Sequence, residues 1–307
     1  MCLKKVFLLV LIVSSLNLLN GCGIKCTLKN NDLNNQKHLR VINYNVLEGF
    51  INDLDRETKV AQWLNEKDPD VIAFEELNEF TEDYLKDLAQ SWGHKYVVML
   101  KTDGYPTGLT SKKPITDIKR ILTGMHHGLL QCKTGGINYF VVHLSPFDYK
   151  LRQSEAGIIL KEVKALLEKG EQSIVLGDFN SLSAIDAQYY KKNNTVEHFR
   201  TQDEKRKLNN LNNGELDFTV LKMFEDAGLT DVVKKYYKDK QTQVSYGTSL
   251  ILNLDEPEDV QRRIRIDYIM VSPGLAAESQ FAYVENDNNI TGDLSDHYPV
   301  IADFNLQ

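Results

Sequence analysis

The segment Ser173-Ile-Val-Leu-Gly-Asp178-Phe-Asn180 is an apolar run with strand character that ends at a glycine turn. The turn delivers a carboxylate and a carboxamide two positions apart. Side chains at positions i and i+2 of an extended segment point to the same face, so Asp178 and Asn180 are predicted to reach one small polar object, such as a water or a phosphoryl oxygen. Gly, Asp and Asn are also common turn residues, so the segment alone is equally compatible with an ordinary turn.

Five further apolar runs end or begin with polar residues. The strands that we predict near residues 41–45, 71–76, 139–143, 268–271 and 298–304 carry, at one end, Asn45, Glu75 with Glu76, His143, Asp267, and Asp296 with His297. In an antiparallel arrangement, the start of one strand and the end of its neighbour lie on the same sheet edge. A polar residue beside an apolar run usually marks only where the chain meets water. Six such runs, all with oxygen or imidazole groups, favour one shared site.

The remaining pattern predicts helices that alternate with these strands. Helices are expected over residues 56–66, 82–88, 152–169 and 215–227 because apolar residues recur at helical spacing and capping or glycine residues bound the segments. Residues 198–213 are predicted to be a loop excursion, which either selects the substrate or is simply solvated. His126 and His127 precede Gly128 in a predicted hairpin, where they either line the cleft or face solvent, and base rates favour solvent.

The N-terminus has the pattern of a secretory signal peptide. Lys4 and Lys5 precede an apolar run over residues 6–19 that is shorter than the roughly 20 residues of a membrane span. The run ends in Leu19-Asn20-Gly21-Cys22, which resembles a bacterial lipobox apart from Asn20. We expect residues 1–21 to be a signal peptide and Cys22 to carry lipid, which anchors the protein to a membrane of the bacterial cell envelope, outside the cytoplasm. The alternative is a plain signal peptide that ends in cysteine.

Composition and charge describe the rest of the chain. Residues 22–38 lack periodicity and predict a lipidated flexible tether, and residues 39–307 show no linker-like break, so we expect one domain and a monomer. Cys26 and Cys132 do not make a disulfide framework, and no cysteine spacing resembles a zinc site. Loss of Lys4 and Lys5 with the signal peptide changes the formal net charge from −7 to −9. This acidity weighs mildly against sequence-independent nucleic-acid binding.

The motifs together resemble the endonuclease/exonuclease/phosphatase superfamily. The resemblance covers residues 39–304 and rests on Gly-Asp178-Phe-Asn180, Arg265-Ile-Asp267-Tyr-Ile and Ser295-Asp296-His297, with Asn45, Glu76 and His143 in matching order. It implies an α/β fold, a four-layer α-β-β-α sandwich with two central, mixed, largely antiparallel sheets and the site on their shared edge. The family commonly has Gln before its metal-binding Glu, whereas this chain has Glu75. The register therefore assigns the metal ligand to Glu76.

This resemblance implies a divalent-metal-dependent phosphoesterase. Hard oxygen ligands suit Mg²⁺ or Mn²⁺, and the expected ligands are Glu76, Asn45 and Asp296. Asp267 is expected to orient His297, and His143 to donate to a phosphate oxygen. Asp178 and Asn180 would position the attacking water. The motifs do not distinguish Asp178 from His297 as the proton acceptor, and we assign that role to His297.

The substrate class stays open at this point. A nucleic acid, a phospholipid head group, and a sugar or inositol phosphate all carry a suitable phosphate ester. An extracellular nuclease is the first specific alternative to a general phosphodiesterase or phosphatase. A non-catalytic surface binding lipoprotein that kept the fold is a further alternative, because a fold does not by itself fix a function.

Overall fold

The computed structural model describes residues 37–237 and 243–307, and these residues belong to one compact unit. The predicted signal peptide, Cys22 and the tether up to residue 36 lie outside the described residues. The first strand begins at Lys37, two residues before the predicted domain start, because Lys37 and His38 pair with Leu306 and Asn305 of the last strand. In the described ranges, no helix has both the length and the apolar character needed to span a bilayer.

Within the described residues, twelve strands form two six-stranded sheets. The first sheet contains β1 (Lys37–Asn45), β2 (Val71–Glu75), β3 (Tyr96–Met99), β4 (Gly108–Ser111), β11 (Ser279–Val284) and β12 (Val300–Leu306), in the spatial order β11-β12-β1-β2-β4-β3. The second contains β5 (Ile115–Ile121), β6 (Leu129–Thr134), β7 (Ile137–His143), β8 (Ser173–Asp178), β9 (Thr230–Asp231) and β10 (Asp267–Val271), in the order β5-β6-β7-β8-β10-β9. Two neighbouring pairs, β1 with β2 and β7 with β8, are parallel, and the other pairs are antiparallel.

The helical segments connect these strands. They are α1 (Leu47–Phe50), α2 (Leu54–Lys67), α3 (Glu82–Ala89), α4 (Tyr149–Leu167), α5 (Ala187–Lys192), α6 (Thr195–Arg206), α7 (Thr219–Asp226), α8 (Val232–Tyr236), α9 (Pro257–Val260) and α10 (Pro273–Glu278), with short 3₁₀ helices at Gln90–Trp92 and Ala184–Asp186. Asp53, Thr81 and Asp148 cap α2, α3 and α4 by accepting backbone N–H groups of the first turn.

The core is built in layers because strand side chains alternate between two faces. One face of each sheet packs against the other sheet, through residues such as Val41 and Leu176. The outer face of the first sheet packs on α2 and α3, and the outer face of the second packs on α4 and α7. The result is the predicted four-layer α-β-β-α sandwich with two mixed, largely antiparallel sheets.

Two predicted elements are different in the structure. Residues 195–206 form α6, whereas we predicted a loop over 198–213. Among the residues of α6 only Thr195 is buried, so no apolar stripe was present for periodicity to detect. The helix predicted from residue 215 begins at Thr219, because the Asp217 carboxylate accepts the Thr219 backbone N–H at 3.2 Å and ends the preceding loop there.

Gly177 lies inside β8, whereas we predicted a glycine turn at this position. It pairs with Val142 of β7, and its φ is +146°. A Cβ atom at this position would lie 1.9 Å from the Val142 carbonyl oxygen. Glycine therefore allows β7 and β8 to approach each other directly beside Asp178.

Candidate active site

The apolar layer between the two sheets ends, at one edge of the sandwich, in a group of polar side chains. The alternation that places Val41, Ala73, Val141, Leu176 and Ile269 between the sheets also places, further along the same faces, Asn45, Glu75, His143, Asp178 and Asp267. Parallel pairing brings Asn45 beside Glu75 and His143 beside Asp178, and antiparallel pairing brings Asp267 opposite Asp178. The two sheets thus contribute to one polar cluster.

His297 enters this cluster from the loop before β12. Its Nδ1 lies 2.8 Å from Asp267 Oδ2, so the carboxylate fixes the orientation of the ring. Ser295 holds the loop in place, since its Oγ donates to the Asn45 carbonyl at 2.7 Å and accepts the His297 backbone N–H at 3.2 Å. The serine of the Ser-Asp-His motif therefore ties this loop to β1, a role that the sequence did not indicate.

Asp178 lies at the centre of the cluster. Its Oδ2 is 3.6 Å from His143 Nε2, 3.8 Å from His297 Nε2 and 3.4 Å from Asn45 Nδ2. These partners come from both sheets, and Asp178 itself is 2% exposed. One carboxylate oxygen is therefore shared by three side chains that are far apart in the sequence.

Asn180 reaches Asp178 through a turn. Its φ is +45°, so the strand alternation that we invoked does not extend to this residue. Its backbone N–H donates to Asp178 Oδ1 at 2.8 Å, and its side-chain amide donates to the Leu144 carbonyl at 3.0 Å. The predicted proximity of Asp178 and Asn180 is present, but its cause is this pair of hydrogen bonds.

The short segment α1 and the two residues after it form a left-handed turn that supports Glu76. The six residues from Leu47 to Asn52 all have φ between +47° and +65°, a conformation that costs about 1–2 kcal/mol for each non-glycine residue. The turn directs the Glu48 backbone N–H to Glu76 Oε2 at 3.0 Å. Asn45 Nδ2 donates to the other oxygen, Glu76 Oε1, at 3.0 Å. The strained backbone thus holds the Glu76 carboxylate beside Asn45 and Asp178.

The charges of the cluster fit a divalent cation. Burial raises the pKa of the Glu76, Asp178 and Asp296 carboxyls, so the folded chain gathers oxygen ligands whose negative charge is poorly solvated. Donor atoms of Asp178, Asp267 and His297 lie within 4.8 Å of one another, and Asp267 Oδ1 has no hydrogen-bond partner among residues 37–237 and 243–307. This trio differs from the predicted ligands Asn45, Glu76 and Asp296, which border it.

The two histidines of the cluster have opposite pKa shifts. Burial opposes a charge on His297, but the Asp267 and Asp296 carboxylates outweigh it and raise the pKa of the imidazole well above its ordinary value. Burial lowers the pKa of His143 well below its ordinary value, and nearby His127 and His297 lower it further. His143 is therefore a neutral donor, whereas His297 is the group that holds a proton readily.

Comparison with known proteins agrees with this architecture. A model of the Endonuclease/Exonuclease/phosphatase family matches residues 42–297, more than half of the chain. The chain belongs to this family. A search of the curated proteins finds no match.

Solved structures of similar fold include three relatives of low sequence identity. An AP endonuclease from Archaeoglobus fulgidus matches with TM-score 0.64 and 19% identity, over 87% of this chain and 99% of its own. The 3′ phosphatase NExo from Neisseria, bound to a product DNA hairpin, matches with TM-score 0.65 and 19% identity, over 87% and 99%. The 3′-5′ exonuclease NExo from Neisseria meningitidis matches with TM-score 0.63 and 17% identity, over 87% and 100%.

Glu75 departs from the common family pattern, and the structure shows where it lies. It is fully buried beneath the cluster, where Asn43 Nδ2 donates to its Oε2 at 3.3 Å. Burial, with the nearby Asp267 and Asp178, raises its pKa well above the ordinary value. Glu75 continues the face between the sheets, whereas Glu76 follows the strand with a φ of +61° and turns toward the left-handed segment.

Arg265 of the Arg-Ile-Asp motif has a supporting position. Its guanidinium is fully buried, donates to Asp186 at 2.8 Å and to Asp231 at 2.6 Å, and lies 4.4 Å from the centre of the Tyr268 ring. This network fixes the start of β10 and therefore the position of Asp267. A buried arginine with two carboxylate partners explains why the motif contains a cation two residues before the acid.

The two hairpin histidines have different environments. His126 is exposed, as the base rate predicted, but the expectation of exposure is wrong for His127, which is 7% exposed. The ring of His127 stacks on His143 with 4.1 Å between centroids and 25° between planes. The hairpin therefore borders the site, because β6 pairs with β7 and brings its preceding loop next to the end of β7.

Proposed function

We propose that this member of the family is a divalent-metal-dependent phosphoesterase that hydrolyses a P–O bond by in-line attack of water. The observation that carries the proposal is the position of Asp178 between His143 and His297, with His297 oriented by Asp267. Family membership supports hydrolysis of a phosphate ester, and the polar cluster supplies the groups that this chemistry needs.

The metal would be Mg²⁺ or Mn²⁺. We propose Glu76, Asp296 and Asn45 as the residues that would hold it. The ion would neutralise charge on the phosphate and orient it. The hydrogen bonds that Glu76 receives from Asn45 and from the Glu48 backbone hold its carboxylate in place for this role.

Side chains of the protein would orient the attacking water and accept its proton. Asp178 and Asn180 would orient the attacking water, and His297 with Asp178 would accept its proton, since His297 Nε2 and Asp178 Oδ2 face each other at 3.8 Å. Asp267 would keep the His297 ring in one tautomer by accepting from Nδ1. The proton would then pass to solvent, because in-line attack places the leaving oxygen on the side of phosphorus opposite this pair.

His143 would donate to a non-bridging phosphate oxygen. Its ring is neutral because burial lowers its pKa, and a neutral imidazole has one N–H donor. Its Nε2 faces the polar cluster, 3.6 Å from Asp178 Oδ2, so an N–H on that nitrogen would be the donor to the substrate. Loss of one such donor costs about 2.7–4 kcal/mol of barrier.

A nucleic-acid ester is the more specific substrate proposal. The AP endonuclease and the DNA-bound 3′ phosphatase among the structural neighbours favour it over a lipid or sugar phosphate. The acidic net charge of −7 weighs against long tracts of phosphate contacts. A short stretch of nucleic acid is compatible with both observations.

The test is hydrolysis of a model diester and a model monoester with Mg²⁺, with and without a chelator. We expect chelator-sensitive turnover of at least one ester and a rise in melting temperature on addition of Mg²⁺. Glu76→Gln should lose both effects, whereas Glu79→Gln, which changes an exposed carboxylate three residues later, should keep them. Turnover that survives the chelator would contradict metal dependence. Absence of turnover with both esters would contradict the enzyme and favour a binding protein.

We also propose that the protein acts as a monomer and is attached to the cell envelope through a lipid on Cys22. The sequence pattern of residues 1–22 supports this attachment. Cys22→Ala should move the protein out of the membrane fraction. Unchanged partitioning of that variant would contradict a lipid anchor.

A further inference from the structure

A row of aromatic rings leads from the protein surface to His143. Phe147 is 47% exposed, and its ring centroid lies 5.1 Å from that of His126. The ring centroids of His126 and His127 are 4.3 Å apart, and His127 stacks on His143. Tyr105, 37% exposed, packs its ring 5.4 Å from His127 and 6.4 Å from His143. Tyr105, His126 and Phe147 form the exposed part of this row, which we name the aromatic rim.

The rim is held by buried polar contacts. The Glu155 carboxylate, fully buried on α4, accepts the backbone N–H of His126 at 2.6 Å and of Ser145 at 2.9 Å. The Phe147 backbone N–H donates to Ser145 Oγ at 3.3 Å. One carboxylate thus fixes the two loops that carry His126 and Phe147. A surface with this support presents its rings in a defined arrangement before any ligand binds.

A cation lies beside the rim. Lys101 precedes the loop that carries Tyr105, and its Nζ lies 3.5 Å from the position that a Cβ on Gly104 would take. It lies close enough to His126, His127 and His143 to lower the pKa of all three rings. Among the residues that the structure describes, Lys101 has neither a hydrogen bond nor an ion pair. Its ammonium group is available to an anion that approaches along the rim.

We propose that the aromatic rim binds a base of single-stranded nucleic acid, with a neighbouring phosphate at Lys101. The proposal rests on the proposed phosphoesterase function and adds to it a subsite for the base of a nucleic-acid ester. Every base has a flat face that stacks on an aromatic side chain, and a nearby lysine contacts the backbone without reading sequence. A sugar phosphate has no flat ring for these side chains. The quaternary ammonium of phosphocholine can contact aromatic rings, but here it would meet the like charge of Lys101.

The experiment compares two substrates that differ only in their bases. The full-length protein is assayed on a short oligothymidylate and on the same oligomer with tetrahydrofuran abasic units, both with Mg²⁺. We expect the base-bearing oligomer to be hydrolysed with a kcat/KM about tenfold higher, mainly through KM, the size of effect that one stacked base produces. Phe147→Ala should remove most of this preference, and Phe147→Tyr should keep it.

Phe281→Ala is the matched control. Phe281 is an exposed phenylalanine (44%) on β11, paired with Asp303 far from the site edge, and its loss should leave the preference unchanged. Equal hydrolysis of the two oligomers, or an unchanged preference in Phe147→Ala, would overturn the proposal and leave the phosphoesterase function intact. Binding to vesicles of phosphatidylglycerol and phosphatidylcholine is measured in addition. If Phe147→Ala weakened vesicle binding and left the base preference intact, the rim would be a membrane contact and the proposal would fail.

Discussion

At the scale of single residues, the pairing of Asp267 with His297 controls the proposed chemistry. Asp267 is 1% exposed and touches the ring through one hydrogen bond of 2.8 Å, so it acts on the reaction through His297. The same carboxylate is the largest of the influences that raise the pKa of His297. An amide in its place would remove both the charge and the fixed tautomer.

We predict that Asp267→Asn lowers kcat by about 10²- to 10⁴-fold, the range of general acid–base catalysis, with a small change in KM. Because the carboxylate that raises the His297 pKa is lost, the limb of the kcat–pH profile that reports His297 should move to lower pH. Steady-state kinetics across the pH range measures both effects. Asp226→Asn, on the surface of α7, is the control. An unchanged profile in Asp267→Asn would contradict the role given to this pair.

At the scale of elements, the close contact of β7 with β8 determines where the site forms. Gly177 faces the Val142 carbonyl, and this contact aligns His143 with Asp178 one residue further on. Gly170 also has a positive φ, +74°, but no atom lies within 4 Å of the Cβ that a substitution would add. A comparison of substitutions at Gly170 and Gly177 therefore separates the cost of a positive φ from the cost of the contact with Val142.

We predict that Gly177→Ala destabilises the protein by more than about 2 kcal/mol, because strain and a backbone clash add. Gly170→Ala should cost only the left-handed conformation, about 1–2 kcal/mol. Urea unfolding at neutral pH measures both. Activity should fall only in Gly177→Ala, since displacement of β8 moves Asp178 away from His143. Equal losses of stability in the two variants would show that the contact with Val142 is unimportant.

At the scale of the whole molecule, the dependence of stability on pH is set by buried histidines, and His94 must stay neutral. His94 is fully buried, with one ring nitrogen 2.7 Å from Thr110 Oγ1 and the other 2.8 Å from the Pro69 carbonyl. Burial lowers its pKa to about 4. The unfolded chain takes up this proton near pH 6.5, so stability is fully present above that pH and is lost as the pH falls toward 4. The raised pKa of His297 acts in the opposite sense, and its contribution is lost as the pH rises above 6.5.

We predict that the free energy of unfolding falls by about 2 kcal/mol from pH 7.5 to pH 5.0 because of the titration of His94 alone. Urea unfolding at the two pH values, in chelator, measures the dependence. His94→Gln can keep both hydrogen bonds without a titratable group, so its pH dependence should be smaller by that amount. His38→Gln, which changes an exposed histidine, should behave like the wild type. The same slope in His94→Gln and wild type would exclude this source of acid sensitivity.

The sequence by itself determined the fold class, the family and the residues that end the strands. This was possible because strand alternation is local: the pattern that buries Val41 and Leu176 also aims Asn45 and Asp178 at the same end of the sandwich. Motif spacing, such as Ser-Asp-His before the last strand, was likewise readable without knowledge of any contact.

Only the tertiary structure decided which loops lie beside the site and which conformations they adopt. The left-handed turn after Asn45 is stable because Glu76 accepts its backbone N–H, and His127 is buried because β6 brings its loop against His143. Helix α6 has no apolar stripe that periodicity could detect. In each case the conformation depends on partners distant in the sequence, and local propensity contains no information about them.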